Sequence, residues 1–161
     1  MSEEIPTVVT RERVKHFLCE LDESEEGFEI FEHGEHEFVF PAETGLVFIN
    51  FSSPSILQIR AIWRGISKND DDFGDLAQQI HMCNVQRSGP KAYLIPLNDA
   101  NEFSLGAEVN LVISKGATNA QLTNFYETAL TMILGYFQDV ETVLPHLIPS
   151  ETNNPEGTKE A

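Results

Sequence analysis

The chain has 161 residues, 41% of them hydrophobic, two cysteines and a net charge of -16. That length suits one domain, able to bury roughly two-thirds of its unfolded surface without a disulfide or metal staple. The charge argues against nucleic acid and anionic membranes as partners, since both attract basic surfaces, and the scarcity of cysteine fits a reducing, cytoplasmic setting.

The polar start Met1–Glu4 lacks the basic-then-apolar pattern of a secretory signal, and no window reaches the ~18 apolar residues of a membrane span. Residues 1–9 read as a flexible lead-in broken at Pro6. Thr10 is a candidate N-cap. Val14, Phe17, Leu18 and Leu21 then fall on one helical stripe. An acidic stretch follows, from Glu20 to Glu37, with no lysine or arginine inside it.

Phe28–Phe31 and Glu37–Phe40 read as strands joined around Gly34. Gly45 opens a third, Leu46–Phe51, apolar on both sides. Ile56–Trp63 alternates cleanly. Leu57, Ile59, Ala61 and Trp63 take one side and Gln58, Arg60, Ile62 and Arg64 the other. A helix begins near Asp71, capped within Asn69–Asp72 and placing Phe73, Leu76, Ala77, Ile80 and Asn84 on one face. Strands Ala92–Leu97 and Phe103–Ile113 follow. Thr118 and Gln121 form a capping-box pattern ahead of a long stripe through Leu122, Phe125, Ala129, Ile133, Phe137, Val140 and Leu144, which Pro145 ends. Residues 149–161 carry almost no large apolar group and read as a disordered acidic tail. The order is α-β-β-β-β-α-β-β-α over residues 10–148. Short connections make the sheet mostly antiparallel, and three amphipathic helices cover one face: an α+β two-layer sandwich.

Catalytic patterns are missing from the sequence: there is no G-x-S-x-G, P-loop, H-E-x-x-H or C-x-x-C. The nearest set of metal ligands is His33 and His36 beside Glu35 and Glu37. A turn brings such residues together often, and zinc asks for three or four converging ligands. No metal or other cofactor is therefore expected. His81 and Cys83 are two apart on a helix and face different ways, one to solvent and one to the core. Asp70–Asp72 lacks the rest of a calcium loop and reads as helix capping. Ser114–Thr118 leads into a helix N-terminus, where amides can hold an anion. Trp63 belongs to the core.

The face opposite Trp63 carries the candidate working surface. Arg60, Ile62 and Arg64 alternate there, and Phe48 points from the neighbouring strand, a mixture of arginine and apolar groups typical of protein interfaces. A homodimer would pair these arginines with the acidic stretch of a second copy.

Together, V-K-H-F-L in the opening helix, the strand I-L-Q-I-R-A-I-W, the helix ending at Asn84 before G-P-K-A-Y-L, the strand E-V-N-L-V-I and the closing helix Q-L-T-N-F-Y-E-T-A-L with its late Pro145 resemble the YbjN family, bacterial proteins described as sensory transduction regulators. The resemblance runs from about Thr10 to Leu147. It implies a fold like that of type III secretion chaperones and a non-catalytic, cytoplasmic regulator or chaperone-like adaptor that binds a protein partner. It brings no catalytic residues with it. A small ligand-binding or enzymatic domain and a homo-oligomeric structural module are the competing readings. A deep cleft with converging titratable groups would favour the first of these.

Overall fold

The computed structural model describes residues 4–22, 29–97 and 101–150. Helix α1 (Arg11–Asp22) begins where expected: the Thr10 hydroxyl accepts from the Arg13 amide at 3.2 Å. Val14 and Leu18 bury its apolar stripe. Helix α2 (Asp70–Gln86) takes Asn69 as its N-cap, whose side chain accepts from the Asp72 amide. The three aspartates of its first turn complement the positive end of the helix dipole. Helix α3 (Asn119–Val143) opens on a complete capping box. The Gln121 amide donates to the Thr118 hydroxyl at 3.0 Å and the Thr118 amide donates to the Gln121 side chain at 2.8 Å. A 3-10 turn, Pro145–Leu147, ends it.

Six strands, β1 (Phe31–Glu32), β2 (Glu37–Ala42), β3 (Gly45–Asn50), β4 (Ile56–Trp63), β5 (Lys91–Pro96) and β6 (Phe103–Val112), form one antiparallel sheet in the order β1-β2-β3-β4-β6-β5. Strands β1 to β4 are a meander. The chain then crosses through α2 to the far edge, and β6 returns to fill the gap between β5 and β4, a split β-α-β arrangement.

Alternation along β4 is complete: Leu57, Ile59, Ala61 and Trp63 are buried and their neighbours are half-buried. They pack with Val47, Ile49 and Leu105 against Leu122, Phe125, Ile133, Phe137 and Val140 of α3 in a single core. Val109 and Leu111 join its margin, half-buried, because β6 runs outward there. The first expected strand is shorter than its pattern. Phe31–Glu32 is all that pairs with β2 among the described residues, and Phe28 lies outside them. Conversely β2 continues through Pro41. β1 stops opposite Phe38 and Val39, so β2 is an edge at that point and the missing N–H leaves no ladder bond unmade.

The lead-in makes specific contacts from residue 4 onward. Thr7 forms an antiparallel bridge with Ala117. Arg13 donates to the carbonyls of Thr7, Val8 and Ala117 at 2.8, 3.0 and 3.1 Å and to the Asn119 side chain at 2.9 Å. The anion-binding potential read at Ser114–Thr118 is met from within the chain, since the Asn119 amide donates to Glu4 Oε1 at 2.6 Å. Gly116 adopts φ +78°, and a Cβ there would lie 2.6 Å from the Thr7 carbonyl oxygen. The tail residues 151–161 and acidic residues 23–28 lie outside the described residues. Cys19 is exposed and Cys83 buried, and both are free thiols. No helix among the described residues is long and apolar enough to cross a membrane.

Candidate functional site: the open face of the sheet

All three helices pack on the Trp63 side. The register then defines what the other face presents. One row across the strands reads Phe31, Val39, Phe48, Arg60, Glu108, Lys91. The next reads Pro41, Leu46, Ile62, Gly106, Tyr93. Phe48 and Arg60 are therefore direct cross-strand neighbours, and the guanidinium carbon stands 4.1 Å from the Phe48 ring centroid. The His33 ring meets the same phenyl edge-on at 5.8 Å. Capped from both sides, Phe48 is only 7% exposed although no helix covers it. That explains a third strand apolar on both faces: Val47 and Ile49 serve the core, Phe48 sits beneath a polar strap and Leu46 remains 45% exposed.

Glu37 holds the strap in place. Its carboxylate accepts from Arg60 Nη2 at 3.0 and 3.1 Å, from His33 Nδ1 at 2.9 Å and from Asn50 Nδ2 at 3.0 Å. Burial alone would raise the Glu37 pKa, but the bonds from Asn50 and His33 and the charge and bond of Arg60 outweigh it and hold the pKa below the ordinary value. A second network lies beside the first. Glu108 accepts from Gln58 and, at 3.2 Å, from Asn110, with Lys91 at 3.4 Å. Tyr93 completes the apolar row by leaning over Gly106, where a Cβ would lie 2.5 Å from its ring. Burial first, then the Glu108 charge, raise the tyrosine pKa, against the opposing charge of Arg60.

Of the four residues placed here from the sequence, the structure brings together Phe48, Arg60 and Ile62. Arg64 is a correction. It follows the last residue of β4, so the strand's alternation no longer governs it, and it turns to the helical layer. Its Nε and Nη2 donate to Glu141 of α3 at 2.7 and 2.9 Å, beside the Trp63 indole N–H at 3.1 Å. Arg64, then burial in opposition and Trp63, leave the Glu141 pKa below the ordinary value. Glu37, Asn50, Glu108, Leu46 and Tyr93 also belong to the face, beyond the candidates that the sequence offers for it. In the sequence Glu37 closes the acidic run. Its period-two relation to Val39 and Pro41 is the signal that would have set it on a sheet face.

His33 and His36 part company: His33 serves Glu37, while His36 meets Phe51 edge-on at 6.2 Å. Among the described residues, the group whose ligand atoms converge is instead Asp72, Asp75 and His146. There His146 Nε2 pairs with Asp72 Oδ1 at 3.2 Å, at the start of α2, where carboxylates already answer the helix dipole. This pair borders a surface depression of about 400 Å³ lined also by Ile66, Lys68 and Leu147. A narrower cleft of about 150 Å³ lies between α1 and β2, at Lys15, Cys19, Glu32 and Phe38.

Residues 10–142 match the profile of YbjN, a family described as "Putative bacterial sensory transduction regulator". The chain belongs to the YbjN family. Its fold is also similar to the crystal structure of YbjN from E. coli, described as "a putative transcription regulator", with a TM-score of 0.70 and 16% identity over 86% of this chain and 96% of that one. No curated protein sequence matches the chain. The α+β sheet-and-helix architecture expected from the sequence is thus the YbjN fold, and the family carries a regulator's description and is not a known enzyme family.

Proposed function

We propose that this YbjN-family chain is a non-catalytic, cytoplasmic regulator, a chaperone-like adaptor that binds another protein on the open face of its sheet. The observation that carries this reading is the apolar row Pro41–Leu46–Ile62–Tyr93. It lies on the side the helices leave uncovered and is bordered by two ordered polar networks. Apolar groups ringed by satisfied polar ones are the anatomy of a protein contact. The homodimer reading loses its motive, because Arg60 and Arg64 already hold Glu37 and Glu141 of their own chain. A photo-crosslinking residue placed at Leu46 in native lysate should give discrete adducts. The same residue at Val85, an exposed apolar position on α2, should give none of them. Silence at Leu46, or identical adducts from both positions, would refute the reading.

A further inference from the structure

We infer that the occupant of this face is a cationic amphipathic helix of about 13 residues, seated along the apolar row. The inference rests on the reading above and adds the chemistry of the partner.

Strand addition is the first alternative, and the sheet edges oppose it. On the outer edge of β5, Asn84 accepts from the Ala92 amide at 2.9 Å and donates to its carbonyl at 3.0 Å. Pro96 on the same strand has no N–H to offer. At the other edge β1 is two residues long, and beyond it β2 presents Pro41. An extended peptide finds no continuous ladder at either edge. The partner must then lie on the face itself. From Pro41 to Tyr93 the row crosses five strands, β2, β3, β4, β6 and β5. Four inter-strand steps span about 19 Å, the length of roughly 13 helical residues.

Charge selects the flanks. The row lies next to the sheet end that carries Glu43 in the β2–β3 turn and Glu102 just before β6. Neither carboxylate is in an ion pair with a described residue. Of the cations nearby, Arg60 is paired with Glu37, Lys91 with Glu108 and Arg64 with Glu141; Lys68, just past the Ser67–Phe103 bridge, lies beside Glu102 and offsets part of its charge, so Glu43 is the carboxylate left clear. With the whole chain at -16, a helix flanked by lysine or arginine is both steered to the face and matched at its rim. Long basic side chains can lay their methylenes on the apolar row and reach the carboxylates with their heads. A second copy would bring another -16 and the same two carboxylates.

The test uses the full chain, isotopically labelled, and three peptides of about 14 residues. One combines leucine and lysine in helical period, one scrambles that composition, and one replaces lysine by glutamate. The Leu/Lys helix should shift the amides of Leu46, Ile62, Gly106 and Tyr93. The scrambled peptide, and the Leu46→Asp variant, should each bind at least about tenfold more weakly. Glu43→Gln with Glu102→Gln should weaken binding several-fold and flatten its salt dependence. Leu46→Ser stands in should the aspartate variant lose its dispersed spectrum. Equal binding of the scrambled peptide, or shifts confined to α1 and α2, overturns the inference. Equal binding of the Leu/Glu helix to the same row overturns the charge assignment and leaves the face in place. A dimer by light scattering that Leu46→Asp dissolves overturns it in favour of a second copy. If no peptide moves the row while cross-linking at Leu46 persists, the helical occupant falls and the binding face stands. If both are silent, the face falls too.

Discussion

Arg60 and Arg64 come from the same stretch of chain, yet they serve opposite sides of the sheet. Arg60 lies inside β4, stacks on Phe48 and joins the Glu37 network on the open face. Arg64, one residue past the strand, reaches Glu141 and ties β4 to α3. One pair organises a surface and the other fastens two layers. The difference teaches that strand alternation assigns a side chain only as long as the ladder continues. It also teaches that the two faces resist water by different means, one with packed hydrocarbon and the other with a strap of charged groups over a single phenyl.

The widest gap between the faces should appear in stability. Ile133, fully buried against the sheet from α3, should lose about 2–5 kcal/mol as Ile133→Ala. Leu46→Ala on the open face should stay within about 0.5 kcal/mol. Denaturant midpoints at constant slope measure both, and similar losses would mean the open face is packed after all. The two carboxylates separate next. Glu37→Gln keeps the shape but weakens three partners in a nearly buried site, and should cost about 1–3 kcal/mol. Glu141→Gln, whose partner Arg64 is 40% exposed, should cost about 1 kcal/mol or less.

Acid sharpens the same comparison. Both carboxyls are held below their ordinary 4.5 in the fold. Their contribution is therefore complete above that value and lost as the pH falls through the lower folded-state pKa. Stability should decline below about pH 4.5 in the wild type and decline less in each glutamine variant, the more so for Glu37→Gln. A parallel decline in all three proteins would mean neither carboxyl is linked to folding. The smallest effect concerns the thiols. Cys19 on α1 should react with a thiol reagent in the native protein, and Cys83 only on unfolding, since burial pushes its pKa up and its thiol donates to the Pro90 carbonyl at 3.3 Å. Mass spectrometry of natively labelled protein distinguishes one adduct from two.

Much of the fold was legible because its signals are local. The Thr118 box, the β4 alternation and the Gly/Pro punctuation each specify structure within a few residues. The candidate site was legible only in part. Phe48, Arg60 and Ile62 were placed by alternation within adjacent strands. Alternation can set Glu37 and Glu108 on a face but cannot name their partners, which come from cross-strand register: Glu37 opposite Asn50, Glu108 opposite Arg60. Tyr93 alternates with Ala92 and Leu94 along β5, but only its pairing with Gly106 decides which face it joins. The first strand is expected at Phe28–Phe31 from its strand-like spacing, while its pairing, Phe31–Glu32 among the described residues, depends on partners in β2.

The insertion of β6 between β4 and β5 has a consequence for how the molecule comes together. β1 to β4 close through short loops, and β5 with β6 is a hairpin of its own, so each half can zip up from local contacts. Within the sheet the β4–β6 seam joins the halves, and there Gln58 meets Asn110 across 52 residues of sequence. α3, the last helix of the chain, packs over β4 and β6 alike and so lies along that seam. The chain is thus two short-range assemblies sewn by one long-range stitch, and the loop between β4 and α2 is where it would divide into complementing fragments.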